Sequence, residues 1–500
     1  MIGMRRIFLL AVAFTLLSGA CSGDPVVADP QEPVLPQITV SELCTENGKT
    51  FVLVDGKPFP FIGAQIRLDA LMNCEQKPVS AIEPYFRKAV ELGLNCVQVP
   101  VCWKMIEPQE GSYDWTVVDA LLGYCNEYGL KMELLWFSTN MCGDSFSYFV
   151  PQYILSNPSV RLWRNDNGSF WNYYGYQYAL VLDDSWILEH ETRAVTAMFN
   201  HIRYWDSLNG EHHPVISCQV HNEPDGFVRW RYFQKEYRNW DGSELSQQRA
   251  WEMVCNALDA VGKAVQNSSY KVLTRTNLVK GNGIEPFPEA AMASPEAVFD
   301  LEGIDFVSVD IYRNSVADVR SEVGDYASIP GNYALVGENK GSYSHSPSLI
   351  LAAFASGGGY DIYDLATSRF FLDNTNDRDE VDHGVYTYDL QEKPGITEPT
   401  RLIVSGLAMA AGDVAVTPPA DFAAFNIGQD APQPSLSETI GTSASTIGFE
   451  TSSGAIGFAL DRGEYVVLYA TEDAVFTVSR PGQPMVTVNV GGGELYRHDM

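Results

Sequence analysis

Positive charge is scarce in this 500-residue chain: Lys and Arg number 33 against 63 Asp and Glu, a formal charge of −30. A polyanion meets net repulsion at such a surface, so no nucleic-acid partner is expected. Cysteines number nine and none forms a Cys-x-x-Cys pair, which excludes zinc-ribbon spacing. The run Glu211-His212-His213 also lacks ligand spacing. Neither a Gly-x-Ser-x-Gly elbow nor a His-Glu-x-x-His helix occurs, so the commonest serine-hydrolase and metalloprotease signatures are missing. No metal and no cofactor is implied. Repeats and low-complexity tracts are absent, and the apolar run Ile7–Leu17 is too short to span a bilayer.

That run reads as part of an export address. Arg5 and Arg6 precede it and Ser18-Gly19-Ala20 follow, the order of a secretory signal over residues 1–20. Cys21, directly after, resembles the acylated cysteine of a bacterial lipobox; the alternative is an ordinary signal peptide with a chance cysteine. A Pro- and Asp-rich stretch within residues 21–45 reads as a flexible tether. Asp24 resembles the acidic sorting signal of some Gram-negative gut bacteria. The expectation is an exported lipoprotein of the outer membrane, surface-facing, attached through its lipid alone.

What the chain does contain is a globular balance, 45% hydrophobic and 19% charged, with 12% aromatics. Such rings either stack on sugars or fill a large core. Eight short apolar runs recur: Phe59–Gln65, Cys96–Val101, Lys131–Phe137, Val215–His221, Val272–Thr276, Phe306–Ile311, Tyr333–Gly337 and Gly359–Tyr363. Helical patterns fall between them, over Ile82–Leu92, Val117–Tyr128, Ile187–Leu208, Gln247–Gln266 and Pro347–Ser356. Continuous apolar strands imply a parallel sheet buried on both faces. Eight such units predict the α/β class and a (β/α)8 TIM barrel over 46–412. From Val414 on the segments are short and β-rich, with no convincing helix, predicting a small C-terminal antiparallel β-sandwich over 413–500. It either binds glycan or braces the barrel.

Barrel enzymes place reactive groups at the C-terminal ends of their strands, and two of the apolar runs deliver a glutamate there. The fourth closes on Asn222-Glu223-Pro224, and the seventh on Glu338-Asn339. Strands four and seven face each other across a barrel mouth. A facing carboxyl pair suits glycosidic cleavage: one group protonates the leaving oxygen while the other attacks the anomeric carbon or positions a water. Cys102 and Cys142 fall near the ends of neighbouring strands and form one possible disulfide. His221 reads as a packed core histidine. The loops 140–184 and 226–246, rich in Tyr, Trp and Phe, are expected to shape the subsites.

With those glutamates in view, the chain resembles glycoside hydrolase clan A, and within it the family thirty-five and forty-two β-galactosidase-like barrels of Bacteroides-type lipoproteins. Val54-Asp55-Gly56-Lys57-Pro58-Phe59, leading to Gly63-Ala64-Gln65, resembles their opening strand. The stretch Gly93 to Trp103, continuing through Glu107-Pro108 to Trp115, resembles their second-strand signature, and Asp305 to Tyr312 their sixth strand. The resemblance makes Glu223 the acid/base, Asn222 a donor to the sugar 2-hydroxyl and Glu338 the nucleophile. It makes Tyr312 a hydrogen-bond partner of that nucleophile. Arg67 either holds Glu338 ionised or forms a surface ion pair. Trp103 and Trp136 either stack on a sugar or pack at the barrel top, and Asn140 is placed to contact a hydroxyl.

Departures from the pattern are specific. Pro224-Asp225-Gly226 stands where family thirty-five has tyrosine and glycine, and Asn339-Lys340-Gly341-Ser342 replaces an aromatic-rich stretch. The implied function is a retaining glycoside hydrolase of oligosaccharides or polysaccharides, working by double displacement, with β-galactosidase first. An endo-glycanase, a β-glucosidase and a β-mannosidase remain open, as does a barrel that has lost its chemistry and binds surface glycan.

Overall fold

The computed structural model describes residues 32–164, 174–228, 237–278, 294–374, 381–428 and 431–500. The signal at 1–20, Cys21 and the first part of the tether lie outside them. Eight strands build the core: β1 (Ile62–Gln65), β2 (Cys96–Cys102), β3 (Lys131–Met141), β4 (Val215–Asn222), β5 (Leu273–Leu278), β6 (Phe306–Asp310), β7 (Leu335–Lys340) and β8 (Gly359–Tyr363). All pairs are parallel, and β8 closes on β1 while β3 pairs β4, so the sheet is a complete barrel. Each apolar run read from the sequence overlaps one of these strands, and the fold is a (β/α)8 barrel. In β2 every residue of the sequence CVQVPVC is buried, as expected where helices cover one side of the sheet and the barrel interior the other.

The helices α1 (Glu83–Leu92), α2 (Thr116–Tyr128), α3 (Ser185–Leu208), α4 (Gln247–Gln266), α5 (Val316–Ala327), α6 (Ser346–Ala355) and α7 (Thr397–Met409) intervene or follow. Their ends are written locally. Asp184 and Ser246 cap α3 and α4 through side-chain oxygens, and α1 stops at Gly93 with φ 92°, a left-handed stop that glycine adopts at little cost. Two of the seven, α5 and α7, have no counterpart among the helical patterns read from the sequence. Their apolar faces are broken by Gly, Ser and Thr, which blurs the periodicity.

The tether ends earlier than residue 45. Ile38–Thr39 pairs with Tyr270–Lys271, and Ser41–Glu46 joins Lys49–Val54 and Lys57–Phe59 in an antiparallel sheet. Ser41 is buried, its hydroxyl donating to the Ile216 carbonyl and accepting from the Leu273 amide, so this sheet is fastened to the barrel.

After α7 a short helix α8 (Ala411–Val416) occupies the start of the stretch expected to hold no helix; it buries Val414 and Ala415. The sandwich strands begin at β9 (Phe422–Phe425), followed by β10 (Leu436–Gly441), β11 (Thr446–Thr451), β12 (Gly457–Asp461), β13 (Tyr465–Ala470), β14 (Ala474–Ser479), β15 (Val486–Val490) and β16 (Leu495–Asp499). They form two antiparallel sheets, β9-β12-β13-β16 and β10-β11-β14-β15. In the first sheet Phe458, Leu460, Val467 and Tyr469 join the barrel core, whereas Ala459, Val466 and Leu468 face the second sheet. A β-strand alternates its side chains, so one sheet serves two cores.

Candidate active site

The C-terminal end of β4 is irregular where it matters. Pairing with β3 slips between Val220 and Asn222, so Val220 faces Trp136 but Asn222 faces Met141. His221 and Glu223 both take positive φ, 60° and 42°, conformations that non-glycine residues hold only when their surroundings fix them. Those surroundings are visible. Cys142 donates its backbone N–H to the Asn222 carbonyl at 2.8 Å, and Asn277 of β5 accepts the Glu223 N–H at 2.9 Å. A Cβ on Gly143 or Gly226 would meet backbone of the opposing loop at 2.8 Å; glycine permits that approach. Buried His221 shares Nε2 with the carboxylate of Glu191 from α3, 3.0 Å away, which is the packed role expected of it.

Glu223 leaves this turn facing a cavity. The Cys142 thiol donates to its Oε2 at 3.0 Å. Burial, then the charge of Glu338, raises its carboxyl to about 8. Asn222 accepts on Oδ1 from Gln219 and Asn277, at 3.0 and 3.1 Å, which fixes its amide orientation.

Across the mouth, β7 delivers Glu338, whose Oε2 accepts from the Tyr312 hydroxyl and Oε1 from Gln65 Nε2 at 3.3 Å. Burial raises this carboxyl too and sets the net direction, against the downward pull of Tyr312, the charge of Arg67, Gln65 and the charge of Arg275. Arg67 is buried and not a surface residue: Nε and Nη2 clasp Asp69 at 2.9 and 2.7 Å, and Nη1 donates to the Tyr363 hydroxyl at 2.6 Å. Its charge reaches Glu338 through space. Carboxylate oxygens of Glu223, Glu338 and Asp310, the last residue of β6, all lie within 4.8 Å of one another. Among the described residues this is the one grouping of donors close enough to hold a cation, and two of the three are the facing glutamates.

A cavity of about 500 Å3 opens over the pair, lined among others by Gln65, Arg67, Asn222, Glu223, Tyr312 and Glu338. It thus gathers five of the site residues singled out from the sequence: Arg67, Asn222, Glu223, Tyr312 and Glu338. Three others are elsewhere. Trp103 and Trp136 are fully buried; their indole N–H groups donate to Glu107 and Glu191, at 2.7 and 3.1 Å. Neither has a free face for a sugar, so the packing alternative holds for both. Asn140 does not contact a hydroxyl from the cavity either: buried, it accepts the Gly143 N–H at 2.9 Å and donates to the Pro224 carbonyl at 3.4 Å. It braces the loop beneath Glu223. Cys102 and Cys142 are not joined by a disulfide, so the possible pairing is not formed.

Sequence reading missed several cavity residues: Phe146, Tyr174, Lys340, Tyr363, Phe371 and His383. The first two fall in the loop 140–184 expected to shape subsites, of which 165–173 lie outside the described residues, as do 229–236 of the second such loop. Asp310 stood within the quoted sixth-strand match, and its acidic character beside two barrel glutamates was the available signal. Cys142 carried none beyond its spacing.

Comparison with known proteins fits this geometry. Residues 72–254 match the family model described as beta-galactosidase. Residues 253–432 and 4–70 match two models described as domains of unknown function, DUF4978 and DUF4969. No curated protein matches the chain. Among solved structures, the beta-galactosidase of the psychrophilic Marinomonas ef1 superposes with a TM-score of 0.52 at 15% identity, covering 72% of this chain and 62% of that one. The polyextremophilic beta-galactosidase of the Antarctic haloarchaeon Halorubrum lacusprofundi gives 0.50 at 14% identity, covering 69% and 58%. The chain therefore spans about three fifths of each of these proteins. In its barrel, and in sequence over residues 72–254, the chain resembles the β-galactosidases of glycoside hydrolase clan A.

Proposed function

We propose that this protein is a retaining glycosidase of β-linked glycans, with Glu338 as nucleophile and Glu223 as acid/base. One observation carries the reading: the two glutamates, on β7 and after β4, bring carboxylate oxygens within 4.8 Å of each other. Retaining enzymes hold their carboxyl groups about 5–5.5 Å apart, whereas inverting enzymes need about 6.5–9.5 Å to admit a water. The surroundings divide the roles. Tyr312 and Gln65 donate to Glu338, favouring the ionised form that attacks the anomeric carbon. Burial and the Glu338 charge keep a proton on Glu223, ready for the leaving oxygen. In the second step water attacks the anomeric carbon, Glu338 leaves, and Glu223 takes the proton back. Asn222, with its Oδ1 engaged and its Nδ2 donating to the Cys142 sulfur at 3.7 Å, has its second amide N–H left for the sugar 2-hydroxyl.

β-Galactosides are the first substrates to try, on the strength of the match over residues 72–254. The test is hydrolysis of a panel of nitrophenyl glycosides by the form starting at Asp24, with the first-formed anomer read by NMR. A β-product from a β-glycoside supports double displacement. An inverted product, or no turnover while glycan binding persists, overturns the reading. Export and lipidation at Cys21 rest on residues 1–24 alone; labelled palmitate should enter the wild type in its host and not C21S.

A further inference from the structure

A two-carboxylate mechanism leaves one acid at the barrel mouth without a task. Asp310 ends β6 and is fully buried. Its Oδ2 accepts from Asn277 Nδ2 at 2.7 Å, while no donor among the described residues reaches Oδ1. Its carboxyl nevertheless faces that of Glu223, with oxygens of the two groups within 4.8 Å of each other. Two carboxyl groups can share a hydrogen bond only if one of them carries a proton, since each is an acceptor alone when ionised. Asn277 builds the pair: its Oδ1 accepts the Glu223 N–H, and its amide donates to both Asp310 and Asn222.

We propose that Asp310 is a positioning residue held protonated, whose Oδ1–H donates to the Glu223 carboxyl, so that the acid/base is a carboxyl pair rather than a lone glutamate. This rests on the assignment of Glu223 in the proposed function and deepens it. The proton belongs on Oδ1 because Oδ2 is occupied by the Asn277 amide.

The charges facing the pair favour this arrangement. Asp310 sees Glu338 from β7, Glu223 from the end of β4 and the cation Arg275 from β5. Arg275 is itself engaged by Glu133 through Nε at 2.8 Å and by Ser308 through Nη1 at 2.7 Å. Glu223 faces Glu338, the Cys142 thiol and Asp225. Tyr312, two residues beyond Asp310, donates to Glu338. Three acids this close cannot all ionise in a buried mouth, and the donors on Glu338 direct the charge there. A buried carboxylic acid kept neutral so that it can donate is an established device in other enzymes.

Its action is balanced. In the first step the Glu223 proton passes to the glycosidic oxygen, the Glu338–anomeric carbon bond forms, and the bond to the leaving group breaks. The new Glu223 carboxylate then accepts the Asp310 O–H bond. In the second step Glu223 takes a proton from the attacking water, and Asp310 ends the cycle with the proton it began with.

The test uses D310N and D310A in the whole chain. D310A removes the donor, and kcat/KM should fall about ten- to a hundredfold, the range of a lost hydrogen bond to a charged group. D310N should recover most of that loss, because its amide N–H replaces the O–H while its oxygen still accepts from Asn277. Infrared spectra at neutral pH supply a readout independent of turnover: the wild type should show a protonated-carboxyl band that D310N removes and E223Q leaves in place. If D310N costs as much as D310A, or if no such band is lost in D310N, Asp310 is not a proton-holding partner. Activity abolished by a chelator and restored by a divalent cation would also overturn the proposal. Should the wild type hydrolyse no glycoside while the band behaves as expected, the glycosidase reading fails and the carboxyl pair stands.

Discussion

The two glutamates at the barrel mouth are the same residue at the ends of equivalent strands, yet their surroundings differ in kind. Around Glu338 gather a phenol, an amide and the charges of Arg67 and Arg275. Around Glu223 the titratable neighbours are acids, Glu338, Asp225 and Asp310, and the cavity-side donor is a thiol. Two like charges about 5 Å apart repel by about 3 kcal/mol at an effective dielectric of ~20, which moves the weaker acid by about 2 pH units. Ionisation of one glutamate therefore holds the proton on the other. The contrast teaches that the scaffold supplies the distance, while three or four side chains from other strands supply the roles.

The most severe way to break the comparison is to delete the charged member. E338A should lose at least about ten-thousandfold in kcat, on the scale of removing an activated nucleophile. Azide or formate should restore part of the turnover with inverted product; restored activity with the original stereochemistry would reverse the two roles. E223A comes next, with losses of about 10²–10⁴ on poor leaving groups, the usual range for a positioned acid. Nitrophenyl substrates, which need little protonation, should be hit far less in the first step. The fall of kcat/KM above about 8 in the wild type, where Glu223 gives up its proton, should vanish in E223A. E223Q tests the same proton through stability. The folded carboxyl keeps it to about 8, whereas an unfolded one releases it near ~4.3. The fold binds more protons than the unfolded chain across that window, so stability falls there as pH rises. Melting curves of E223Q should lose that component.

Most of the barrel was legible because burial on both faces writes continuous apolar runs, and each of the eight overlaps its strand. The tether's end was misplaced because Ser41–Glu46, SELCTE, is polar and half exposed; its pairing with Lys49–Val54 is a tertiary fact. The facing glutamates were legible because a carboxylate at the end of an apolar strand is an unusual punctuation. Trp103 and Trp136 were not, because a strand-end tryptophan looks the same whether its partner is a sugar or a buried carboxylate. Those carboxylates, Glu107 and Glu191, reach in from a turn after β2 and from α3, and no local pattern announces them. Asp310 was quoted without being given a role, since its meaning depends on β4 and β5 meeting it.

A milder perturbation sharpens the contrast from the Glu338 side. Y312F removes one donor to Glu338 and leaves Gln65 and the two arginine charges in place. The carboxylate form loses support, so its titration moves upward and the acid limb of kcat/KM should move to higher pH. The expected cost below the optimum is roughly tenfold, the lower end for a hydrogen bond to a charged group. An acid limb that stays where it was, with only KM altered, would show the phenol serving the substrate rather than the nucleophile.

The smallest effect is expected on the other side, at Cys142. Its thiol is a weak donor, yet at 3.0 Å from Oε2 it pulls Glu223 down against burial and the Glu338 charge. C142A should let the Glu223 carboxyl rise, so the alkaline limb moves to higher pH by less than about one unit, with kcat/KM at the optimum changed within about threefold. Removing a donor raises the titration in both experiments, but the consequences are opposite. Y312F narrows the bell from its acid side because the nucleophile must be ionised, and C142A widens it on the alkaline side because the acid must be protonated. A C142A profile narrowed instead on the acid side would mean that Glu223 works as a carboxylate in the first step, and the assignment of the two glutamates would have to be exchanged.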